Sequence, residues 1–203
     1  CQYWVHQLFR QYGLVILDPN DEALKQHMVS IFEADLQEQV HEQLVTSRQE
    51  ALSGYALPVN PRPINIFFTQ PGSRERIVPN NGGYELADQS QYFAHGELIR
   101  TLQQQPGLFS PNVVLRPLYQ QVILPNLTYI GGTNEIAYWL ELKKLFDHHQ
   151  VFYPQLLVRN SALWVGKGLQ KKLRKYSLTY EDLFRSQDEV IKAYLAREAD
   201  TQP

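Results

Sequence analysis

One stretch decides the fold: Leu127-Thr128-Tyr129-Ile130-Gly131-Gly132-Thr133-Asn134-Glu135, an apolar strand pattern followed by two glycines and a helix start. Glycines at such a turn let the backbone approach a ligand, and the free amides of a helix N-terminus favour an anion or a nucleotide phosphate. Gly131, Gly132 and Asn134 are therefore candidate ligand-binding residues. The same pattern also fits a tight turn that binds nothing, with Asn134 as the helix cap.

The segments on either side of this stretch alternate between helix and strand patterns. Residues 113–124 and 135–149 are typical of helices, and residues 156–158 are typical of a buried strand. This alternation predicts an α/β fold with a parallel sheet, whose ligand crevice lies at the carboxyl ends of the strands. Near the beginning of the chain, residues 14–17 predict another short buried strand, and a long helical stripe follows over residues 24–52.

Residues 57–108 differ from the flanking segments in their sequence pattern. Pro58, Pro61 and Pro63 precede segments that are typical of strands. Asn81-Gly82 is a strong signal for a hairpin turn between two antiparallel strands. We predict a small antiparallel meander here, followed by a helix over residues 95–105, as an insertion in the α/β fold.

Further candidate ligand-binding residues lie next to the predicted elements. Arg116 and Tyr119 are three residues apart on one helical face, where a guanidinium and a phenol could hold a carboxylate or phosphate. Asn112 belongs to the same segment, while Arg159 and Asn160 follow the last predicted strand and should emerge at its ligand-bearing edge. Each of these residues also has a purely structural interpretation. Arg116 could bond a neighbouring backbone carbonyl, Tyr119 could pack in the core, and Asn160 could cap a helix.

Basic side chains occur in two other places. Arg74 and Arg76 alternate onto one face of a predicted strand, where they could face an anionic substrate, although pairing with Glu85 across the hairpin is the favoured interpretation. The basic run over residues 167–175 is interpreted as a solvated helix face.

Composition excludes several classes of protein. The 203 residues carry 19 Lys+Arg against 21 Asp+Glu, a formal charge of -2, which argues against a nucleic-acid partner. The single cysteine, Cys1, rules out an internal disulfide and suits a reducing compartment, so we expect a cytoplasmic protein without a membrane span. The adjacent His148 and His149 diverge by roughly 100° on a helix, and no protein-bound metal is predicted.

Several segments together resemble the bacillithiol synthase (BshC) family, the cysteine-adding enzymes of bacillithiol biosynthesis. The matching segments are residues 12–18, 64–68, 74–77, 109–120, 124–132 and 135–139. The block from Phe109 to Trp139 is the most specific. The resemblance spans nearly the whole chain, although members of the family are considerably longer.

The resemblance implies a Rossmann-like core of the nucleotidylyltransferase type, interrupted by a connecting-peptide insertion. The expected organisation is a first core part over residues 1–56, the insertion over 57–108, the later half of the core over 109–176 and the start of a dimerising coiled coil over 177–203. The chain would then be the central section of a larger, homodimeric enzyme.

The resemblance also implies a reaction that joins cysteine to the amine of glucosaminyl-malate through an amide bond. ATP is the expected activating cosubstrate, with Mg²⁺ accompanying it. Arg116 would hold a malate or phosphate anion, and the other candidates would line the cleft. The histidine-containing nucleotide motif of this superfamily does not occur in the chain, so no catalytic residue is assigned. The alternative is a noncatalytic nucleotide-binding or protein-interaction module.

Overall fold

A computed structural model describes residues 2–199 and divides the chain into two units, one ending at Arg159 and the other beginning at Asn160. The first unit contains a five-stranded antiparallel sheet with the strand order β4-β3-β2-β1-β5. Its strands are β1 (Ile66–Gln70), β2 (Ser73–Asn80), β3 (Gly83–Leu86), β4 (Tyr92–Ala94) and β5 (Phe109–Pro111).

The predicted meander is confirmed, and its tightest turn depends on two residues with unusual backbone angles. Asn81 and Gly82 have φ angles of 43° and 81°, so both lie in the left-handed region that a two-residue hairpin requires. The expected pairing of Arg76 with Glu85 is wrong. Glu85 lies opposite Val78 in the register of β2 and β3, and its carboxylate accepts a hydrogen bond from the Asn80 amide.

The parallel sheet is smaller than the sequence predicts. Within residues 2–199, only β6 (Thr128–Gly131) and β7 (Gln155–Val158) pair in parallel, while the main sheet is antiparallel. The strand expected over residues 14–17 does not form, and 78% of Val15 is exposed to solvent. A strand needs a neighbour to pair with its backbone groups, and none runs beside this segment within residues 2–199.

Ten α-helices complete the described part of the chain. Those of the first unit are α1 (Gln2–Phe9), α2 (Glu22–Gln26), α3 (Val29–Gln37), α4 (Val40–Ala51), α5 (His95–Gln104), α6 (Arg116–Ile123), α7 (Thr133–Glu141) and α8 (Lys143–His148). The second unit contains α9 (Lys167–Lys175) and α10 (Gln187–Ala199).

The helical stripe over residues 24–52 forms three helices instead of one. Asp21 caps the first of them by accepting hydrogen bonds from the backbone N–H groups of Ala23 and Leu24. Gln39 has a φ angle of 52° and interrupts the stripe between α3 and α4. The chain can therefore reverse while both helices still bury their apolar faces.

The hydrophobic core joins the inner face of the antiparallel sheet to the helices of the first unit. Phe68 from β1 meets the rings of Phe93 and Phe109 edge-on, at centroid distances of 5.2 and 5.5 Å. The same cluster of buried residues extends to Trp139 in α7 and Phe146 in α8. The core thus ties the antiparallel sheet to the helices that connect the two parallel strands.

A buried polar network crosses this core. His41 Nδ1 lies 2.6 Å from Asp35 Oδ1, and both side chains are fully buried. The Asp35 carboxylate also accepts hydrogen bonds from the backbone and side-chain N–H groups of Asn65, at 2.5 and 3.1 Å. On the far side, His41 Nε2 lies 2.7 Å from His149 Nε2. Every member therefore has a partner, as buried polar groups require.

His149 should make stability depend on pH. Burial, followed by the charges of His41 and His148, lowers the pKa of His149 to about 4, whereas an unfolded histidine titrates near 6.5. The unfolded state binds more protons between these values, so the free energy of unfolding should fall, by on the order of 2 kcal/mol, as pH decreases from about 6.5 to 4. Thermal unfolding measured across this range tests the effect.

The matched variants for this test are His149→Gln and His6→Gln, the second at an exposed position on α1. The first should flatten the dependence of the melting temperature on pH, and the second should leave it unchanged. An unaltered pH dependence in His149→Gln would contradict the assignment.

The coiled coil expected over residues 177–203 stays a prediction. The described part of this segment contains the single long helix α10, and residues 200–203, like Cys1, lie outside the described residues. None of the helices in the described part of the chain combines the length and the apolar character needed to cross a membrane.

Candidate functional site

The two glycines at the end of β6 allow close packing around the turn. A Cβ on Gly131 would lie 2.8 Å from a ring carbon of Tyr129 and 3.1 Å from the Cβ of Glu135. A Cβ on Gly132 would lie 3.0 Å from a guanidinium nitrogen of Arg159, at the end of β7. The absence of both side chains therefore lets Arg159 and the first turn of α7 lie against the strand end.

Glu135 occupies the centre of this edge. Gly132 is the N-cap of α7, and the Glu135 carboxylate accepts a hydrogen bond from its N–H at 2.7 Å. Arg159 lies 3.8 Å from the same carboxylate oxygen. The bond from Gly132 and, to a lesser extent, the Arg159 charge hold the pKa of Glu135 below its usual value, so the carboxylate is ionised at neutral pH. The proposed capping role of Asn134 is wrong, because the helix already begins at Thr133.

A second guanidinium reaches the same edge from α6. Arg116 Nη2 donates to the Tyr138 hydroxyl at 2.6 Å, and the Tyr129 hydroxyl donates to Glu135 at 3.4 Å. Burial, followed by a hydrogen bond with Tyr138, raises the pKa of Tyr129 to about 12. Tyr129 therefore remains a protonated donor. We call Arg116, Tyr129, Glu135, Tyr138 and Arg159 the strand-edge cluster.

The structure brings together most, but not all, of the residues that the sequence selects. Arg116, Gly131, Gly132 and Arg159 meet at the strand edge, with Asn134 exposed in the adjoining helical turn. Tyr119 does not join them, because it is buried and its hydroxyl donates to the Pro19 carbonyl at 3.0 Å.

Two other candidates have different surroundings. The side-chain oxygen of Asn112 accepts the backbone N–H groups of Val114 and Leu115 at 2.8 and 3.4 Å, which shapes the turn before α6. Asn160 is exposed and begins the second unit. Both positions stay predictions as ligand-binding residues.

Sequence reasoning did not select Tyr129, Glu135 or Tyr138. Glu135 had a usable signal, since an acidic residue three positions after a helix N-cap is well placed to accept the N-cap N–H. Tyr138 follows it by three residues, on the same helical face. The contact from Arg116 to Tyr138 had no local signal, because 22 residues separate the two.

A cavity of about 520 Å³ is lined by Arg116 together with residues of the antiparallel sheet. Four arginines line it, Arg62, Arg74, Arg76 and Arg116, and we call it the arginine pocket. Its other lining residues are Pro58, Asn60, Ile64, Asn65, Ile66, Phe67, Pro111, Asn112 and Val113. The pocket therefore combines four cationic groups with an apolar floor and has no acidic lining residue.

Arg74 shows how this pocket is held in place. Its Nε donates to Ser110 Oγ at 2.9 Å, and its Nη2 donates to the Pro111 carbonyl at 3.1 Å. The guanidinium also lies 3.7 Å from the centre of the Phe67 ring. Within residues 2–199, none of the four pocket arginines forms an ion pair with Asp or Glu. The same part of the chain holds no group of three or more His, Cys, Asp or Glu that could share a metal ion.

Comparisons with known proteins first define the class of domain. Residues 1–160 match the family model described as "Bacillithiol biosynthesis BshC, N-terminal Rossmann-like domain". The chain is therefore a Rossmann-like domain with a mixed α/β fold, in which the larger sheet is antiparallel.

Curated relatives agree with this match. Proteins from Flavobacterium psychrophilum, Flavobacterium johnsoniae and Christiangramia forsetii are 43, 40 and 39% identical to it over 95, 95 and 98% of the chain. Each has the provisional name cysteine ligase BshC. The chain belongs to the BshC family of bacillithiol biosynthesis, which confirms the resemblance noted from the sequence. It spans 36–37% of the length of these relatives.

Proposed function

We propose that the protein containing this chain joins the carboxyl group of cysteine to the amine of glucosaminyl-malate, forming an amide bond. Membership of the BshC family supports a ligase of bacillithiol biosynthesis, and the relatives' provisional name supports cysteine as one substrate. The proposal adds the second substrate and the type of bond.

The strand-edge cluster is the observation on which the proposal rests. Arg116 and Arg159 approach Glu135 from different elements, and Tyr129 adds a neutral donor beside them. Guanidinium groups and a phenol are suited to binding a carboxylate and to stabilising negative charge that develops on its oxygens. Glu135 fixes the Gly132 N–H and lies beside Arg159, so the strand end and a cationic group are together before substrate arrives.

Amide formation from a free carboxylate needs an activated oxygen, and ATP would supply it by making that oxygen part of a good leaving group. The residues at the strand edge fit a nucleotide phosphate. Two-thirds of the Arg159 side chain is exposed, and its distance of 3.8 Å from Glu135 leaves it able to turn toward another anion. The backbone N–H groups of Thr133 and Asn134 have no carbonyl partner inside α7, because they belong to its first turn. Mg²⁺ would accompany ATP without a site made of protein ligands.

The test is a reconstituted reaction that uses the whole protein containing this chain, of a length comparable with that of the curated relatives. We expect mass spectrometry to detect the cysteinyl amide of glucosaminyl-malate only when cysteine, glucosaminyl-malate and MgATP are all present. One AMP and one pyrophosphate should accompany each amide if the carboxyl group is adenylated. Release of ADP and phosphate would indicate an acyl phosphate instead, and no amide in the complete mixture would contradict the proposed function.

A further inference from the structure

We propose that the arginine pocket is a binding site for a compact dicarboxylate. The identity of this ligand rests on the proposed function. Given that function, the dicarboxylate is the malyl end of glucosaminyl-malate. The site lies on the inserted antiparallel sheet, next to the strand-edge cluster but made mostly of different residues.

The charge of the pocket is the first argument. Four arginines line one cavity without a carboxylate among its lining residues, although like charges held together repel one another. A ligand with two negative charges would relieve this repulsion. The apolar floor, which includes Ile64, Ile66 and Phe67, lowers the local dielectric constant and strengthens each charge interaction. A volume of about 520 Å³ also lies within the range of small-molecule sites.

The second argument is that buried groups position the walls of the pocket. Asn65 is only 1% exposed, and its amide NH₂ donates to the Arg62 carbonyl at 2.7 Å. Its side-chain oxygen accepts the Arg62 N–H at 3.3 Å and the Asn112 amide at 3.0 Å. Asn65 is itself anchored by the buried carboxylate of Asp35. One buried amide thus fixes the segment that contains Arg62 and the turn that leads to Arg116.

The lack of free backbone N–H groups beside the pocket favours carboxylates over phosphates. Phosphate sites commonly use backbone N–H groups at a helix start, but here Asn112 already occupies those of Val114, Leu115 and Arg116. The remaining donors of the pocket are the arginine side chains, whose planar guanidinium forks pair with two oxygens of a carboxylate or of a phosphate. The preference for a carboxylate therefore rests on the occupied N–H groups. Two such groups placed a few ångströms apart, as in a malyl unit, can engage different arginines at once.

Arg116 connects this pocket to the strand edge. It lines the cavity and also donates to Tyr138 in the strand-edge cluster. A substrate that fixes its dicarboxylate in the pocket can therefore place its remaining part near Arg116, where the proposed reaction takes place.

The experiment is an NMR titration of the chain labelled with ¹⁵N, which follows the Arg Nε–H signals. Malate should shift a small set of these signals in a saturable manner. Arg62→Gln and Arg76→Gln should each weaken the binding about tenfold or more, whereas Arg100→Gln, at an exposed position on α5, should leave it unchanged. Arg76→Lys keeps the charge but loses the planar fork, and should also weaken malate binding.

Two parallel titrations show which type of anion the pocket prefers. Lactate has one carboxylate and should bind far more weakly than malate, and sodium triphosphate should not compete with malate at equal concentration. Equal affinity for malate in the parent protein and in both glutamine variants, absence of saturable binding, or preference for triphosphate would each overturn the assignment. A circular dichroism spectrum of each variant verifies that it is folded.

The outcome is separate from that of the proposed function. Malate binding that depends on Arg62 and Arg76 would support the site even if the reconstituted reaction gave no amide. Amide formation with an unchanged KM for glucosaminyl-malate in both glutamine variants would overturn the site and leave the proposed reaction in place.

Discussion

Replacement of Asp35 by alanine is expected to lower the free energy of unfolding by about 3 kcal/mol or more, because three buried hydrogen bonds would be lost at about 1–3 kcal/mol for each group left without a partner. Asp35 is fully buried and holds His41 Nδ1 at 2.6 Å. It also accepts two hydrogen bonds from Asn65. The alanine variant would leave these donors buried without a partner, and an unsatisfied buried donor is costly.

Urea unfolding followed by circular dichroism measures this loss. Glu38→Ala is the matched control, because Glu38 is an exposed acidic residue at the end of the same helix, α3. The control should change the free energy of unfolding by less than about 0.5 kcal/mol. A similarly small change in Asp35→Ala would contradict the buried network.

Replacement of Trp139 by alanine is the second large effect that we expect, a loss of about 3–5 kcal/mol. Trp139 is 1% exposed and stacks on Tyr129 at a centroid distance of 4.4 Å. It also contacts the rings of Phe146 and Tyr153, at 5.4 and 6.0 Å. Truncation to alanine would leave a cavity at the point where the core meets the strand-edge cluster.

Trp139→Phe separates the loss of volume from the loss of a polar group. The indole N–H of Trp139 makes no hydrogen bond of good geometry among the described residues, so its removal should cost little beyond the lost volume. The phenylalanine variant should therefore be clearly more stable than the alanine variant in thermal unfolding. Equal melting temperatures of the two variants would contradict the packing role of this ring.

Local signals in the sequence were sufficient for much of the fold. The hairpin at Asn81-Gly82 follows from the backbone angles that these two residue types tolerate. The parallel pairing of β6 with β7 follows from the alternation of strand and helix. The hairpin depends on residues that are close together in the chain, and the parallel pair depends on a continuous strand–helix–strand pattern.

The features that the sequence did not predict depend on distant partners. The apolar pattern of residues 14–17 predicts a strand, but a strand forms only beside another one, which the described chain does not offer. His41 and His149 are 108 positions apart, so no local pattern joins them. In the same way, Arg62 and Arg116 share a pocket only because Asn65 holds both segments.

The candidate site was predictable to a similar extent. The glycine turn and Arg159 could be placed at one sheet edge, because parallel strands present their carboxyl ends together. The sequence reasoning did not select Glu135, whose carboxylate accepts the hydrogen bond from the Gly132 N–H. That amide is therefore already occupied and does not bind an external anion as the sequence suggested. The sequence thus predicted the location of the site better than its charge arrangement.

The most direct test of the central claim, that the strand edge is the site of ligation, is a comparison of turnover in the protein at the length of its relatives. We expect Arg116→Gln and Arg159→Gln each to lower kcat/KM for amide formation at least tenfold, a loss of about 1.4 kcal/mol of transition-state stabilisation. Arg100→Gln should retain the turnover of the parent protein. Parental turnover in both Arg116→Gln and Arg159→Gln would contradict the assignment of the site.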